Sequence, residues 1–421
     1  MTYTQVTERF SDAAGVFCKP GTERVETLCT LLSHPERAYP IIHVTGTNGK
    51  GSTSAMIESA LRASGYRTGL FSTPYLGKRN GCVRINGAPL DDVRFTALSE
   101  KVFYAADEMT DPPTEYELLT ALAFLAFREE RVDVAVIEVC MGGRLDATNV
   151  IDSPLLSVIT GISLEHTAFL GNTIAEIASV KAGIIKADCP ILYGGEVGEA
   201  ETVIRKEAKV LNAPFYKVDP TRIHTESTTL DGTCFSFDGA AFSLSLLGLY
   251  QIKNAACALS ALALLKEKLP RISEETIRAG LAALHWEARF ERLLSDPPIF
   301  FDGAHNPEGI AAVCETLKVY FPHGICLVGG ILKDKDHVAV AKLLSPFVKH
   351  AFTVTPPSPR ALPAEAYRDT LLQAGISAEA TKNVSDALSL ATDYAKKHTL
   401  PIVCLGSLYL YDSIKTALKK A

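Results

Sequence analysis

Short apolar runs alternate with longer amphipathic segments along most of this 421-residue chain, and that alternation restricts the fold more than any other feature. A run such as Ile41–Thr45 is too short for a helix, and the segment after it has helical spacing. Repeated, the pattern gives parallel strands joined by crossover helices. It predicts strands at 41–45, 68–72, 133–140, 155–161, 190–194 and 213–218, with helices over 52–63, 114–130 and 172–185. From 223 to 247 the pattern changes to short alternating segments broken by Asp231-Gly232 and Asp238-Gly239. These predict a small antiparallel sheet at one edge. Helices over 251–268 and 273–284 follow. A second series starts at 299–302, with strands at 324–329, 350–355 and 401–406 and helices beginning near Pro307, Asp336 and Pro363. The charged stretch 286–298, with its Pro-Pro pair, separates the two series, so a domain boundary is expected after residue 291.

Composition excludes several classes. Lys plus Arg total 42 and Asp plus Glu 48, a net charge of −6 that gives no general affinity for nucleic acid or an anionic membrane. With 47% hydrophobic and 21% charged residues, disorder is not the main state. No apolar run reaches the roughly 18 residues needed to cross a bilayer. The first residues lack the cationic-then-apolar order of a secretory signal, so a soluble cytoplasmic protein is expected. Ten cysteines, from Cys18 to Cys404, form no CxxC pair. Most lie in apolar segments (Cys140, Cys257, Cys326, Cys404), which predicts buried thiols rather than disulfides or zinc ligands.

The most informative segment runs from Ile41 to Thr53, where a strand enters the turn Gly46-Thr47-Asn48-Gly49-Lys50-Gly51-Ser52 and then a helix. Glycines there let successive N–H groups form an anion nest, and the helix N-terminus adds donors and its dipole. Lys50 would meet β/γ-phosphates and Ser52 or Thr53 would lie near a metal. The general GxxxxGK[ST] pattern fails literally, because residue 44 is Val and residue 51 is Gly.

Ligands of open α/β sheets sit outside the carboxyl ends of the strands. The residues beyond each strand there are Thr73, Glu138 before Gly142-Gly143-Arg144-Leu145-Asp146-Ala147, and Glu165-His166. A carboxylate and hydroxyls suit Mg²⁺ on ATP, whereas imidazole suits softer metals. On residues alone His166 stays open as a hydrogen-bonding loop histidine, Glu138 as a carboxylate paired with Arg144, and Lys181 as a solvated helix lysine. Gly142-Gly143 would permit close approach to a ligand. In the second series, Asp302 and His305 stand at a turn that opens a helix, where Asp302 is otherwise a turn residue and Asn306 a cap. Arg289 at the junction stays open as a surface residue, although a junction arginine can reach a γ-phosphate when domains close.

As a set, HVTGTNGKGS (43–52), GGRLDATN (142–149), KAGIIK (181–186) and DGAHNP (302–307) resemble the folylpolyglutamate synthase/dihydrofolate synthase family of the Mur ligase superfamily. The resemblance runs from Gly21 to Tyr409. It implies an α/β fold of two domains. Residues 1–291 would form a P-loop-type, mostly parallel sheet with a small antiparallel edge sheet, and 292–421 a Rossmann-like domain completing the ATP and glutamate sites. It implies that Gly46–Ser52, Asn254, Arg289 and Asp302 contact ATP, and that Thr73, Glu138 and His166 bind Mg²⁺. Lys181 would be an N6-carboxylysine, an anion beside magnesium in place of a repelled ammonium, and a monovalent cation is also admitted. Lys50, Glu138, His166, Lys181, Arg289 and His305 would carry catalysis. The pterin side would be lined by Gly21, Thr22, Glu23 and Arg24, by Thr114, Glu115, Tyr116 and Glu117, and by Arg144, Leu145, Asp146 and Ala147. Ser407 joins His305 on the glutamate side.

The sequence departs from the family pattern at Thr73 (usually Ser), Tyr75 (His), Cys140 (Gly), Glu165 (Asp), Val180 (Glu), Tyr250 (His) and Ala288 (Gly). These leave the presumed first contacts intact but cluster at the metal and substrate loops. The expected activity is ATP-dependent amide ligation: a pterin-bearing carboxylate becomes an acyl phosphate, which the L-glutamate amine attacks. The partners expected are ATP, L-glutamate and dihydropteroate or folate, with no nucleic acid or membrane, acting on a monomer. A cell-wall Mur enzyme is the nearest competitor, although about 40 residues precede the phosphate loop, too few for a uridine-nucleotide domain. A regulatory ATPase without ligation is the other.

Overall fold

Five buried residues, Ile41–Thr45, form strand β1, and the rest of the first sheet is arranged around it. The structure is a computed structural model describing residues 1–13, 20–196 and 198–419, so Cys18 lies outside the described residues. Contacts divide the chain into two units, the first holding residues 1–224, 236–242 and 253–284 and the second 225–235, 243–252 and 285–421.

In the first unit, β1 is joined by β2 (Thr68–Phe71), β3 (Val83–Ile85), β4 (Ala88–Pro89), β5 (Val134–Glu138), β6 (Leu156–Ile159), β7 (Ile191–Tyr193) and β8 (Phe215–Lys217). The order is β4-β3-β2-β5-β1-β6-β7-β8. From β2 to β8 every pairing is parallel, while β3 and β4 add an antiparallel edge. The expected strands thus form, β1 over its whole apolar run and the others one to three residues shorter than theirs. The edge pair was not expected, because strands of three and two residues have no alternation to read. Helices α1 (Tyr3–Ala13), α2 (Glu23–Leu31), α3 (Lys50–Ala63), α4 (Asp92–Asp107), α5 (Glu115–Glu129), α6 (Thr167–Leu170), α7 (Ile174–Lys181) and α8 (Glu199–Val210) follow in turn. Helix α5 begins at a capping box in which Thr114 and Glu117 satisfy each other's backbone N–H. The α7 helix stops at Lys181 and tightens into a 3₁₀ turn, Ala182–Ile184, short of the expected 185.

Residues 223–244 form their own sheet, β11-β10-β9, from β9 (Ile223–Thr229), β10 (Gly232–Phe237) and β11 (Ala240–Leu244). Its two-residue connections require antiparallel pairing. Helices α9 (Tyr250–Leu265) and α10 (Glu274–Ala282) come next.

The second unit is built on β12 (Glu291–Ser295), β13 (Pro298–Phe301), β14 (Ile325–Gly329), β15 (Val348–Thr353), β16 (Ala378–Ala380) and β17 (Ile402–Leu405), ordered β12-β13-β17-β14-β15-β16. Only β12 is antiparallel to its neighbour. Helices α11 (Pro307–Tyr320), α12 (His337–Leu344), α13 (Ala364–Gln373), α14 (Val384–His398) and α15 (Tyr411–Leu418) cover it. Asn306 caps α11 by accepting from the Gly309 N–H, with Pro307 at the first helical position.

The described cysteines are unpaired thiols. Cys140, expected inside, is exposed, because β5 ends two residues before it. Among the described residues no helix is long and apolar enough to cross a membrane.

Candidate active site

Strand β1 lies between β5 and β6 with all three parallel, and β2 runs parallel on the far side of β5. The segments that follow these four strands therefore leave one edge of the sheet. They are residues 46–49, 72–75, 139–149 and 160–166, as in open α/β sheets that place ligands at the carboxyl edge.

The turn after β1 is held by its neighbour. The Thr47 N–H donates to the Gly161 carbonyl at 2.8 Å, and Thr160 Oγ1 donates to the Asn48 carbonyl at 2.6 Å. Gly49, with φ of 84°, begins α3 in the left-handed region, and a Cβ there would stand 2.3 Å from Asn254 Oδ1. Glycine is thus required twice over, and Asn254 is brought against the turn from α9. Helix α3 opens directly behind it, and the first N–H groups of a helix have no partner within the helix. A glycine turn leading into a helix N-terminus is an arrangement suited to an anion, and Ser52 is buried in the first turn of α3.

Two ammonium groups meet on one carbonyl there. Lys50 Nζ donates to the Gly46 and Thr47 carbonyls, both at 3.0 Å, and Lys181 Nζ donates to the same Gly46 carbonyl at 2.7 Å. Lys181 is 3% exposed, so the solvated-lysine alternative fails. Burial first, and the Lys50 charge second, bring its amine down to about 7, against a smaller upward pull from Glu165 and Asp146.

At the next strand end, Ser72 Oγ donates to Glu138 Oε2, and Glu138 is buried. Thr73 Oγ1 is buried without a hydrogen bond; the Cys140 thiol is its polar neighbour. A buried carboxylate at the end of one strand and a hydroxyl at the end of the next are oxygen donors of the kind a hard cation prefers. Ser72 lies inside the expected strand 68–72, but β2 ends at Phe71, so it obeys the same rule as Thr73. His166 precedes α6 in left-handed backbone (φ 51°), with Nε2 4.0 Å from Glu165 Oε1. Arg144 pairs with Glu207 at 2.8 Å instead of with Glu138.

The glycines after Glu138 serve the chain itself. A Cβ on Gly143 would lie 2.8 Å from the Lys181 carbonyl, so that position admits the end of α7, where a ligand had been expected. Beyond it Asp146 is buried and saturated: its carboxylate accepts from the N–H groups of Thr148 (2.9 Å) and Met141 (3.2 Å) and from Tyr116 Oη (3.0 Å) and Thr148 Oγ1 (2.6 Å). Burial still raises its pKa. Thr148 Oγ1 also meets His43 Nε2 at 2.8 Å, and burial lowers His43 to about 3, keeping it neutral. Asp146 and Ala147 thus face inward, while Leu145 is exposed and its carbonyl accepts from the Gly21 N–H.

The remaining residues expected on the pterin side are tied to one another or to close neighbours. Arg24 grips the buried Glu117 carboxylate through Nε and Nη2 and reaches Asp111 at 3.1 Å, which raises its pKa. Arg79 holds Glu115 at 2.6 Å, and Tyr75 Oη donates to the same oxygen at 3.3 Å. Thr22 Oγ1 donates to Glu26 at 2.6 Å, and Glu23 folds over Gly21.

In the second unit, Asp302 is 3% exposed. Its carboxylate accepts from Tyr250 Oη, from the Phe290 N–H at 2.8 Å and from the Ala304 N–H at 2.7 Å. Burial raises its pKa despite these donors and Arg289. Arg289 Nη1 donates to the Ala288 carbonyl at 3.0 Å, and His305 Nδ1 lies 2.8 Å from the Gly303 carbonyl. Ser407 is buried and accepts from the Tyr409 N–H at 3.3 Å.

The family model of the Mur ligase middle domain matches residues 44–262, and that of the Mur ligase glutamate ligase domain matches 288–408. The dihydrofolate synthase/folylpolyglutamate synthase of Bacillus subtilis is 38% identical over 95% of both chains. The folylpolyglutamate synthase of Lacticaseibacillus casei is 36% identical over 94% of both. This chain belongs to the folylpolyglutamate synthase/dihydrofolate synthase family of Mur ligases. As a member it is an ATP-dependent amide ligase acting on small molecules. The solved structure of Mycobacterium tuberculosis folylpolyglutamate synthase complexed with ADP superposes with a TM-score of 0.91 at 31% identity, covering 98% of this chain and 97% of that one. The first matched region contains the phosphate turn, Thr73, Glu138, His166, Lys181 and Asn254, and the second contains Arg289, Asp302, His305 and Ser407. Residues 21–24 lie outside both.

Proposed function

We propose that this cytoplasmic ligase, acting as a monomer, adds L-glutamate both to dihydropteroate and to the glutamate tail of folates. The observation that carries the reading is the turn that opens α3, where Lys50 Nζ lies on the Gly46 and Thr47 carbonyls and Asn254 stands against Gly49, a cation and a helix N-terminus where a triphosphate would lie. The double name of the Bacillus subtilis relative supports both acceptors.

The acceptor's carboxylate oxygen attacks the γ-phosphorus, and the bond to the β-phosphate oxygen breaks to release ADP. The resulting acyl phosphate is then attacked at carbon by the glutamate α-amine, which loses a proton as phosphate leaves. Lys50 and Arg289 offset charge on the transferred group. The amides of Gly46–Ser52 hold the β/γ-phosphates, Asn254 fixes the turn, and Asp302 joins the nucleotide contacts. His305 and Ser407 take the glutamate. Thr73, Glu138 and His166 would hold Mg²⁺, which neutralises phosphate charge. Lys181, its amine brought to about 7, is available to add CO₂ and lose a proton, becoming a carbamate.

Mass spectrometry of products from ATP, Mg²⁺ and glutamate, with dihydropteroate and tetrahydrofolate offered separately, tests the proposal. A glutamyl adduct on each acceptor is expected; ADP release without any adduct would contradict it.

A further inference from the structure

The segment that carries Arg289 is wound unusually. Ala288 (φ 58°) and Phe290 (φ 48°) both occupy the left-handed region, one on each side of the arginine. Residues with a Cβ resist that conformation, and adjacent instances persist only where the surroundings impose them. Two carboxylates do so here. Asp302 accepts from the Phe290 N–H at 2.8 Å. Glu291 accepts from the Ala288 N–H at 2.8 Å. The Phe290 ring is anchored among Phe300, Tyr320 and Phe321, with centroids 5.5–6.3 Å away. The Ala288 carbonyl accepts from the Gly303 N–H at 3.1 Å and from Arg289 itself.

Glu291 is held in turn by the C-terminal helix. Tyr411 Oη donates to Glu291 Oε2 at 2.6 Å, the atom that also accepts from Ala288. Lys415 Nζ donates to Tyr411 Oη and to Glu287 Oε1, both at 3.0 Å. The relay therefore runs from α15 through a phenol and a carboxylate to the backbone one residue before Arg289.

We propose that Glu291 and Tyr411 are positioning residues for Arg289, holding its backbone in the left-handed turn that aims the guanidinium. The inference rests on the reading of Arg289 as an ATP contact and extends it. Tyr411→Phe keeps the ring against Phe301, packed edge-on at 5.1 Å, and removes only the hydroxyl. It should lower kcat/KM for ATP by about tenfold with little change in Tm, as small displacements of a charge-stabilising group do. Adding Ala288→Gly, which adopts the turn unaided, should recover most of the loss. Glu291→Ala should lower kcat/KM in the same way and lower Tm as well, because the Ala288 N–H and Tyr411 Oη both lose their acceptor. In an Arg289→Ala background, Tyr411→Phe should add less than about a twofold further loss, because the two act through one group. A Tyr411→Phe enzyme as active as wild type overturns the proposal. So does a loss that Ala288→Gly fails to recover and that adds fully to Arg289→Ala, since it would mark a merely structural tie. A fully active Arg289→Ala would instead strike at the reading of Arg289, and the proposal falls with it.

Discussion

The turn after β1 and the turn before β12 solve the same problem with opposite materials. Each must hold a cationic side chain in a backbone that ordinary residues avoid. The first uses Gly49 at φ 84°, where a side chain has no room. Its ties run to the Gly161 carbonyl, from the Thr160 hydroxyl, and to the Gly46 carbonyl that Lys50 and Lys181 share. The second places Ala288 and Phe290 in left-handed backbone and holds them with the carboxylates of Glu291 and Asp302. In the first turn the functional side chain should be separable from stability, whereas in the second the groups that support function also support the fold.

The sharpest way to break this contrast is Lys50→Ala. Loss of a phosphate-facing charge should cost about 10³-fold in kcat, the size seen for a preorganised donor, with Tm unchanged; turnover near wild type would remove the phosphate assignment. Asp302→Ala should lower activity and stability together, costing about 3 kcal/mol of stability because the N–H groups of Phe290 and Ala304 lose their acceptor. Chemical denaturation checks it, and a variant as stable as wild type would show that the second turn does not depend on its carboxylates. Gly49→Ala should cost about 1–2 kcal/mol from the left-handed backbone alone, besides displacing Asn254, and ATP affinity should fall with it.

Lys181 gives the contrast a pH dependence. Its folded pKa, about 7, lies below the ordinary 10.5, so between those values the unfolded chain holds the extra proton. Stability therefore rises with pH across that window. In CO₂-free buffer Lys181→Met should flatten the rise seen in Tm between pH 7 and 10; an unchanged slope would mean that burial leaves the amine unperturbed. The smallest effect is expected from Ala288→Gly alone, a gain of about 1 kcal/mol from relieved backbone, measurable by denaturant midpoint; no gain would mean that Ala288 is unstrained.

What could be read in the sequence depended on how far apart the determining residues lie. Strands such as 41–45 and 325–329 carry their burial in contiguous apolar runs, and caps such as Asn306-Pro307 are decided within four residues. The edge pair β3–β4 is too short to show a period. Helix α14 buries Ala387, Leu388, Ala391 and Ala395 at a helical spacing, although no helix is among the elements expected there. In the candidate site, the phosphate turn was legible because glycine, lysine and hydroxyl follow one another. The partners of Asp146 and Glu117 were not: Thr148 donates to Asp146 from two residues away, but Tyr116 and Arg24 reach these carboxylates through tertiary packing that no local spacing encodes. Gly142-Gly143 misled for a related reason: a glycine reports close approach without saying what approaches, and here it is the end of α7.

A crystal structure with a non-hydrolysable ATP analogue and magnesium is the most direct measurement. It should show the β/γ-phosphates against the amides of residues 46–52, with Lys50 turned from the Gly46 and Thr47 carbonyls toward them. A nucleotide bound elsewhere, with Lys50 still on those carbonyls, would contradict the assignment of this turn.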